Sequence, residues 1–121
     1  MSLHLELGAI IDEAFGPHLD SPVEHTQDAM IVRLNNGVTL DVRYAATDAY
    51  SLRWVYGEAE SGIDTAPLHR ELATFPNHFH DASGRVVADP ITRPEASPEA
   101  NLRSLIRALL DTPLLGSAES A

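Results

Sequence analysis

Two imidazoles separated by one residue, His78 and His80, stand in the run Thr74-Phe75-Pro76-Asn77-His78-Phe79-His80. In an extended chain alternate side chains leave the backbone on the same side, so both imidazoles face one way and Phe79 the other. A free imidazole titrates near pH 6.5, so such a pair can take up and give back protons at neutral pH. It can also ligate a transition metal. His69 lies nine residues before His78, far enough for the chain to fold back and bring in a third ring. Asp64, Glu71 and Asp81 are carboxylates close in sequence, and each can orient an imidazole through its second ring nitrogen.

Three readings of this segment stand side by side. A His-x-His pair is common at surfaces and in scaffolds. As an acid–base pair, His78 and His80 need no cofactor. As a metal site, His69, His78 and His80 would hold a divalent cation such as zinc and leave an open position for water. The other histidines, His4, His18 and His25, lie in or beside the amino-terminal helix and read as surface residues. Tyr44, Tyr50 and Tyr56 read as sheet packing.

Other chemistry is excluded by composition. The 121 residues include no cysteine and no lysine, so all eight bases are arginine. Thiol nucleophiles, thiolate metal sites, Schiff bases and a Walker lysine are absent with them. Ser83 has no nucleophile elbow around it. The net charge of −10 repels phosphate backbones at long range and suits a basic protein partner. No run approaches about 20 apolar residues, the length a membrane helix needs. The start, Met1-Ser2-Leu3-His4, lacks the basic region of a signal peptide. The expected location is the cytoplasm.

The elements that must position the histidines follow from periodicity. Leu3, Leu7, Ile10, Ile11 and Ala14 recur at helical spacing. This predicts a helix over Leu3–Phe15, capped by Ser2 and stopped by Gly16-Pro17. Residues 17–28 read as a connection. Met30–Tyr44 reads as a hairpin around Asn35-Asn36-Gly37. A three-residue turn with Gly37 left-handed pairs Leu34 with Val38, Val32 with Leu40 and Met30 with Val42, so opposed residues share the apolar face. Tyr50–Tyr56 is a third strand, placing Tyr50 beside Tyr44, Leu52 beside Val42 and Trp54 beside Leu40 after a loop from Ala45 to Ala49. Residues 57–68 read as a long loop, Asp81–Gly84 as a turn, and Arg85–Val87 as a short strand. Ser97 caps a helix to Asp111 whose stripe is Leu102, Leu105, Ile106, Leu109 and Leu110.

The expected fold class is therefore α+β. An antiparallel β-meander of three or more strands carries N-terminal and C-terminal helices packed on its apolar face. One domain spans 1–121, with a disordered tail over 116–121. The opposite sheet face carries Arg33, Thr39, Asp41, Arg43, Ser51 and Arg53. It reads as a solvated face with Asp41 paired to an arginine, as a phosphate- or RNA-contacting patch, or as a protein contact. The edges of a three-stranded sheet could be covered by a second copy in a homodimer.

Ala66-Pro67-Leu68-His69 followed by Thr74-Phe75-Pro76-Asn77-His78-Phe79-His80 resembles the signature of the TumE-like toxin family. That pattern is an aromatic strand, then Ala-Pro-His-His, then Phe-Pro-His-His-Lys-His. Tyr50 and Trp54 resemble the aromatic strand. His69, His78 and His80 match histidines of the two clusters. Leu68 and Asn77 stand where the pattern has histidine, and Phe79 stands where lysine is usual, which reads as a basic residue missing from the site. The resemblance implies a small single-domain toxin of a prokaryotic toxin–antitoxin pair, acting on RNA or translation and held in check by an antitoxin protein. If it is an enzyme, the residues suit a metal-free ribonuclease. His69, His78 and His80 would be its catalytic residues, and Arg43, Arg53 and Arg33 would contact substrate. The alternatives are a non-enzymatic acidic interaction module, a self-associating domain, or a small metal-dependent enzyme with a three-histidine site.

Overall fold

A computed structural model describes residues 2–115. The chain opens with helix α1, Leu3–Phe15, whose Ser2 hydroxyl accepts a hydrogen bond from the Leu5 N–H at 3.1 Å. This satisfies one of the N–H groups that the first helical turn leaves without a partner. Leu7, Ile11 and Phe15 are buried, while Ala14, expected in the stripe, faces solvent. A single 3-10 turn, Gly16–His18, follows.

Among the described residues seven strands then form one antiparallel sheet in sequence order: β1 Glu24–His25, β2 Met30–Arg33, β3 Val38–Ala46, β4 Ala49–Tyr56, β5 Ala59–Asp64, β6 His78–His80 and β7 Val86–Ala88. Every strand pairs with its neighbour in sequence. The register of the first long hairpin is the expected one, Met30 opposite Val42 and Val32 opposite Leu40, with Leu34 N–H on the Val38 carbonyl. Gly37 has φ +99°, a conformation a Cβ would disfavour. Tyr44, Val42 and Leu40 face Tyr50, Leu52 and Trp54 as read from the sequence.

Helix α2, Pro98–Asp111, closes the fold. Ser97 caps it through the Ala100 N–H at 3.1 Å. Leu102, Leu105, Ile106 and Leu109 join the sheet residues Val32, Leu40, Leu52 and Trp54 in one buried cluster, together with Leu7 and Ile11 of α1. Both helices therefore cover the apolar face. Polar contacts fix their seating: Asn36 Nδ2 donates to the Leu109 carbonyl at 3.0 Å, and Trp54 Nε1 donates to the Pro113 carbonyl at 2.9 Å.

Three expectations change. Residues 57–68 are not a long loop: Gly57, at φ +61°, turns the chain into β5. Only Ile63 in that strand is a large apolar residue, so the alternation that marks the other strands is faint. The 17–28 connection contains the 3-10 turn and β1. The loop after β3 is shorter than Ala45–Ala49, because Ala46 pairs with Ala49 across a bulge next to Tyr44. The sheet edges are now β1 and β7, of two and three residues; edges this short offer little to pair with. The disordered tail read at 116–121 lies outside the described residues.

Candidate active site

The meander delivers the histidine segment as β6, between β5 and the edge strand β7. β6 pairs with β5 so that Asp64 sits opposite His78, Ile63 opposite Phe79, and Gly62 opposite His80. Alternation then acts as expected. Phe79 is buried and stacks on Trp54 with ring centroids 6.0 Å apart, while His78 and His80 leave the strand on the other side, their rings edge to face at 4.7 Å.

Asp64 joins the two rings. His78 Nε2 lies 3.0 Å from Asp64 Oδ1, and His80 Nε2 lies 3.4 Å from Asp64 Oδ2. His78 is only 1% exposed, whereas the His80 side chain is 45% exposed. One ring is therefore an interior support and the other meets solvent. The second nitrogen of His78, Nδ1, is 3.2 Å from the Pro76 carbonyl. His69 packs edge to face against His78 at 4.8 Å, with its Nδ1 3.7 Å from a carboxylate oxygen of Glu71. The three histidines are thus contiguous. Among the described residues, however, the donor atoms that converge are those of Asp64, His78 and His80. Asp64 takes the place expected of His69.

Pairing carries the site across the sheet. Asp41, Arg53, Gly62 and His80 form one cross-strand row. Gly62 has no side chain to fill the space between Arg53 and His80, and a small pocket of about 130 Å³ opens there, also lined by Glu60, Ser61 and Asp64. Beside it lies a shallow basin of about 570 Å³ holding Arg33, Thr39, Asp41, Arg43 and Ser51. Arg43 binds Asp41 at 3.0 Å and Arg33 binds Glu24 at 2.8 Å. Each pairing raises the guanidinium pKa, chiefly through the hydrogen bond to its carboxylate. Arg53 has no ion pair among the described residues, so of the three expected substrate contacts it is the one whose charge is open to a ligand.

Two loops hold β6. On its amino-terminal side Asn77 is 1% exposed, and its Nδ2 donates to Tyr50 Oη at 2.9 Å, Asp89 Oδ2 at 3.0 Å and Thr92 Oγ1 at 3.2 Å. Tyr50 thus does more than pack: its hydroxyl donates to Thr92 Oγ1 at 2.8 Å, and burial raises its pKa. On the carboxy-terminal side Asp81 organises the turn into β7. It accepts from the Ser83 hydroxyl at 2.6 Å, from the N–H groups of Ser83 and Arg85 at 2.9 Å each, and from Arg85 Nε at 3.3 Å. Asp81 therefore serves the turn and does not orient an imidazole. The Ser83 hydroxyl, opposed by burial and helped by Arg85, brings the Asp81 carboxyl down to about 2. A carboxyl depressed on folding adds stability above its unfolded pKa of about 4 and loses it as pH falls towards the folded value. Ser83→Ala is accordingly expected to flatten the acid limb of the stability–pH curve between about pH 4 and 2, read from urea midpoints across that range.

The remaining histidines divide. His18 and His25 are exposed as expected, but His4 Nε2 accepts a hydrogen bond from the Tyr44 N–H at 3.0 Å and ties α1 to β3.

A family model described as Toxin TumE matches residues 10–112, from within α1 to just past α2. The chain belongs to the TumE toxin family. No curated protein and no solved structure matches it. Membership supports a toxin role for the protein. The match takes in the second half of α1, the entire sheet and α2, so it is not to the histidine segment alone. The departures of this TumE sequence from the pattern fall away from the pocket. Leu68 is 73% exposed on the loop. Asn77 is turned into the buried network. Phe79 faces the core, on the opposite side of the strand from His78 and His80. No helix among the described residues of this TumE chain is long and apolar enough to cross a membrane.

Proposed function

We propose that the protein is a toxin that cleaves RNA in the cytoplasm, with the Arg53–His80 pocket as its active site and an antitoxin as its partner. The observation that carries this reading is the single cross-strand row in which Arg53 and His80 flank side-chain-free Gly62, with Asp64 in contact with His80. A phosphate seated between them meets a guanidinium on one side and an imidazole on the other.

The chemistry follows from those positions. With Asp64 beside His80 Nε2, a ring hydrogen on that nitrogen leaves the Nδ1 lone pair for proton transfer. His80 takes the proton of a ribose 2′-hydroxyl as that oxygen bonds to the adjacent phosphorus. The bond from phosphorus to the 5′-oxygen breaks, and that oxygen receives a proton from His69, the second partly exposed ring. The products are a 2′,3′-cyclic phosphate and a 5′-hydroxyl end. Arg53 balances the charge that builds on the phosphoryl oxygens. The net charge of −10 favours an antitoxin that presents a basic surface, while Arg53, Arg43 and Arg33 gather three of the eight arginines on the face where RNA would lie.

The test is induction of the protein alone and together with the product of the neighbouring gene. Growth arrest with RNA fragments ending in cyclic phosphate is expected for the toxin alone, and recovery with the partner. Arg53→Ala is expected to lower cleavage by about 10²-fold, as removal of a charge-stabilising donor does. Arrest with intact RNA overturns this reading.

A further inference from the structure

We infer that Asp64, His78 and His80 form a binding site for one first-row divalent cation of the zinc type. The inference uses the ring that the cleavage reading uses, but it does not require RNA to be the target.

Hydrogen placement on His78 is the first argument. The Pro76 carbonyl, 3.2 Å from Nδ1, can only accept, so the hydrogen of the neutral ring is on Nδ1. That puts the Nε2 lone pair against the Asp64 carboxylate at 3.0 Å. Two acceptors then face each other inside the protein, because His78 is 1% exposed. Such a contact needs a positive charge between the two atoms, either a proton or a metal ion. A backbone carbonyl holding the far nitrogen is also how metal-bound histidines are oriented.

Convergence decides between the two. A shared proton needs two partners, and His78 and Asp64 would suffice. Here a third donor, His80 Nε2, meets the same carboxylate at 3.4 Å, and all three ligand atoms lie within 4.8 Å of one another. Donors about 2.0–2.1 Å from a tetrahedral zinc ion are separated by about 3.3 Å. The contacts to Asp64, 3.0 Å from His78 to Oδ1 and 3.4 Å from His80 to Oδ2, each lie close to that separation. Two imidazoles and one carboxylate suit zinc, nickel, cobalt or iron(II), and they are a poor set for magnesium or calcium, which take oxygen ligands. The site is also half open. His78 and Asp64 support it from within, and exposed His80 leaves the fourth position towards the pocket.

The backbone supplies the preorganisation. His78 and Asp64 are direct partners in the β5–β6 ladder, and His80 is two residues further along the same strand. No loop has to close to bring the three together. A cation on His80 Nε2 requires the ring hydrogen on Nδ1, so binding and proton transfer by His80 exclude one another. Zinc is therefore expected to slow RNA cleavage in proportion to its occupancy.

The experiment is calorimetric titration of zinc chloride into untagged, chelator-treated full-length protein. One ion per chain is expected, with micromolar or tighter affinity and no matching heat from magnesium. Asp64→Asn and His80→Gln are expected to weaken binding by at least about 10-fold, the smallest effect that loss of a residue supporting a metal usually has. His69→Ala is expected to leave the affinity within about 3-fold, which separates this site from a three-histidine one. Thermal melts without zinc show that the variants are folded. Absence of saturable binding, or Asp64→Asn binding as tightly as the parent, overturns the site. Because binding is read without RNA, a protein that holds zinc but leaves RNA intact overturns the proposed cleavage and leaves the site standing.

Discussion

His80→Ala is expected to reduce RNA cleavage by about 10²- to 10⁴-fold, the range that a positioned proton-transfer group contributes, and to abolish growth arrest on induction. The ring is 45% exposed and touches Asp64 at 3.4 Å, so its removal opens no cavity. The strand that carries it is held by Phe79 packing on Trp54 and by the Asp81 turn. Melting behaviour close to the parent is therefore expected alongside the loss of cleavage, since surface truncations usually change stability by less than about 0.5 kcal/mol. Cleavage assays on a uniform RNA and a melt of the same preparation check the two halves. Cleavage retained in a folded His80→Ala protein removes His80 from the chemistry. Loss of cleavage together with unfolding marks the ring as structural.

Trp54→Ala is expected to cost about 3–5 kcal/mol, the range for removing a large aromatic from a packed core. Trp54 is 1% exposed, sits opposite Leu40 on β3 and Ser61 on β5, and stacks on Phe79. It also donates to the Pro113 carbonyl beyond α2 at 2.9 Å, so the substitution leaves that acceptor without its partner as well as leaving a void. A domain of ordinary stability has about 5–15 kcal/mol in total, and this one change removes much of it. Urea denaturation reads the loss directly. Trp54→Phe keeps the stacking surface and removes only the indole donor and some volume, and its cost is expected to be clearly smaller. Equal stability of the alanine variant and the parent would mean that Phe79 and its flanking histidines are anchored by something other than this ring.

Much of this architecture is legible from residue types because its main strands alternate strongly. Val38, Leu40, Val42 and the facing Tyr50, Leu52 and Trp54 admit one register in which apolar residues meet. Ser2 and Ser97 mark helix starts for the same local reason, a hydroxyl able to accept from a free N–H. The parity of His78, Phe79 and His80 follows from strand geometry alone. What stayed hidden depended on β5. Its sequence, Ala59-Glu60-Ser61-Gly62-Ile63-Asp64, has one large apolar residue and a glycine in its interior, so it reads as loop. Without that strand Asp64 is one acid among several near the histidines, and nothing ranks it above Glu71 or Asp81. Its role appears only through its pairing with His78. The signal that could have found it is the parity of Ser61 and Ile63 after a two-residue Gly57-Glu58 turn, which puts Asp64 on the same face as Ser51. Asn77 was hidden for a different reason. Its partners Tyr50, Asp89 and Thr92 are distant in sequence, and a buried amide leaves no periodic trace.

The order of strands in the sheet bears on how the protein is made. Each strand pairs with the one before it, so the sheet can grow by successive hairpins while the chain leaves the ribosome, with only short segments to close at each step. Strands β5 and β6, which carry Asp64, His78 and His80, are added late in that sequence. The apolar face, however, is covered in large part by Leu102, Leu105, Ile106 and Leu109 near the carboxy terminus. A nascent chain stopped before α2 would have its histidines and Asp64 already synthesised and the greasy side of its sheet bare. The sheet that carries these residues is therefore covered on its apolar side only once α2 has been made, and until then that side is open to other chains.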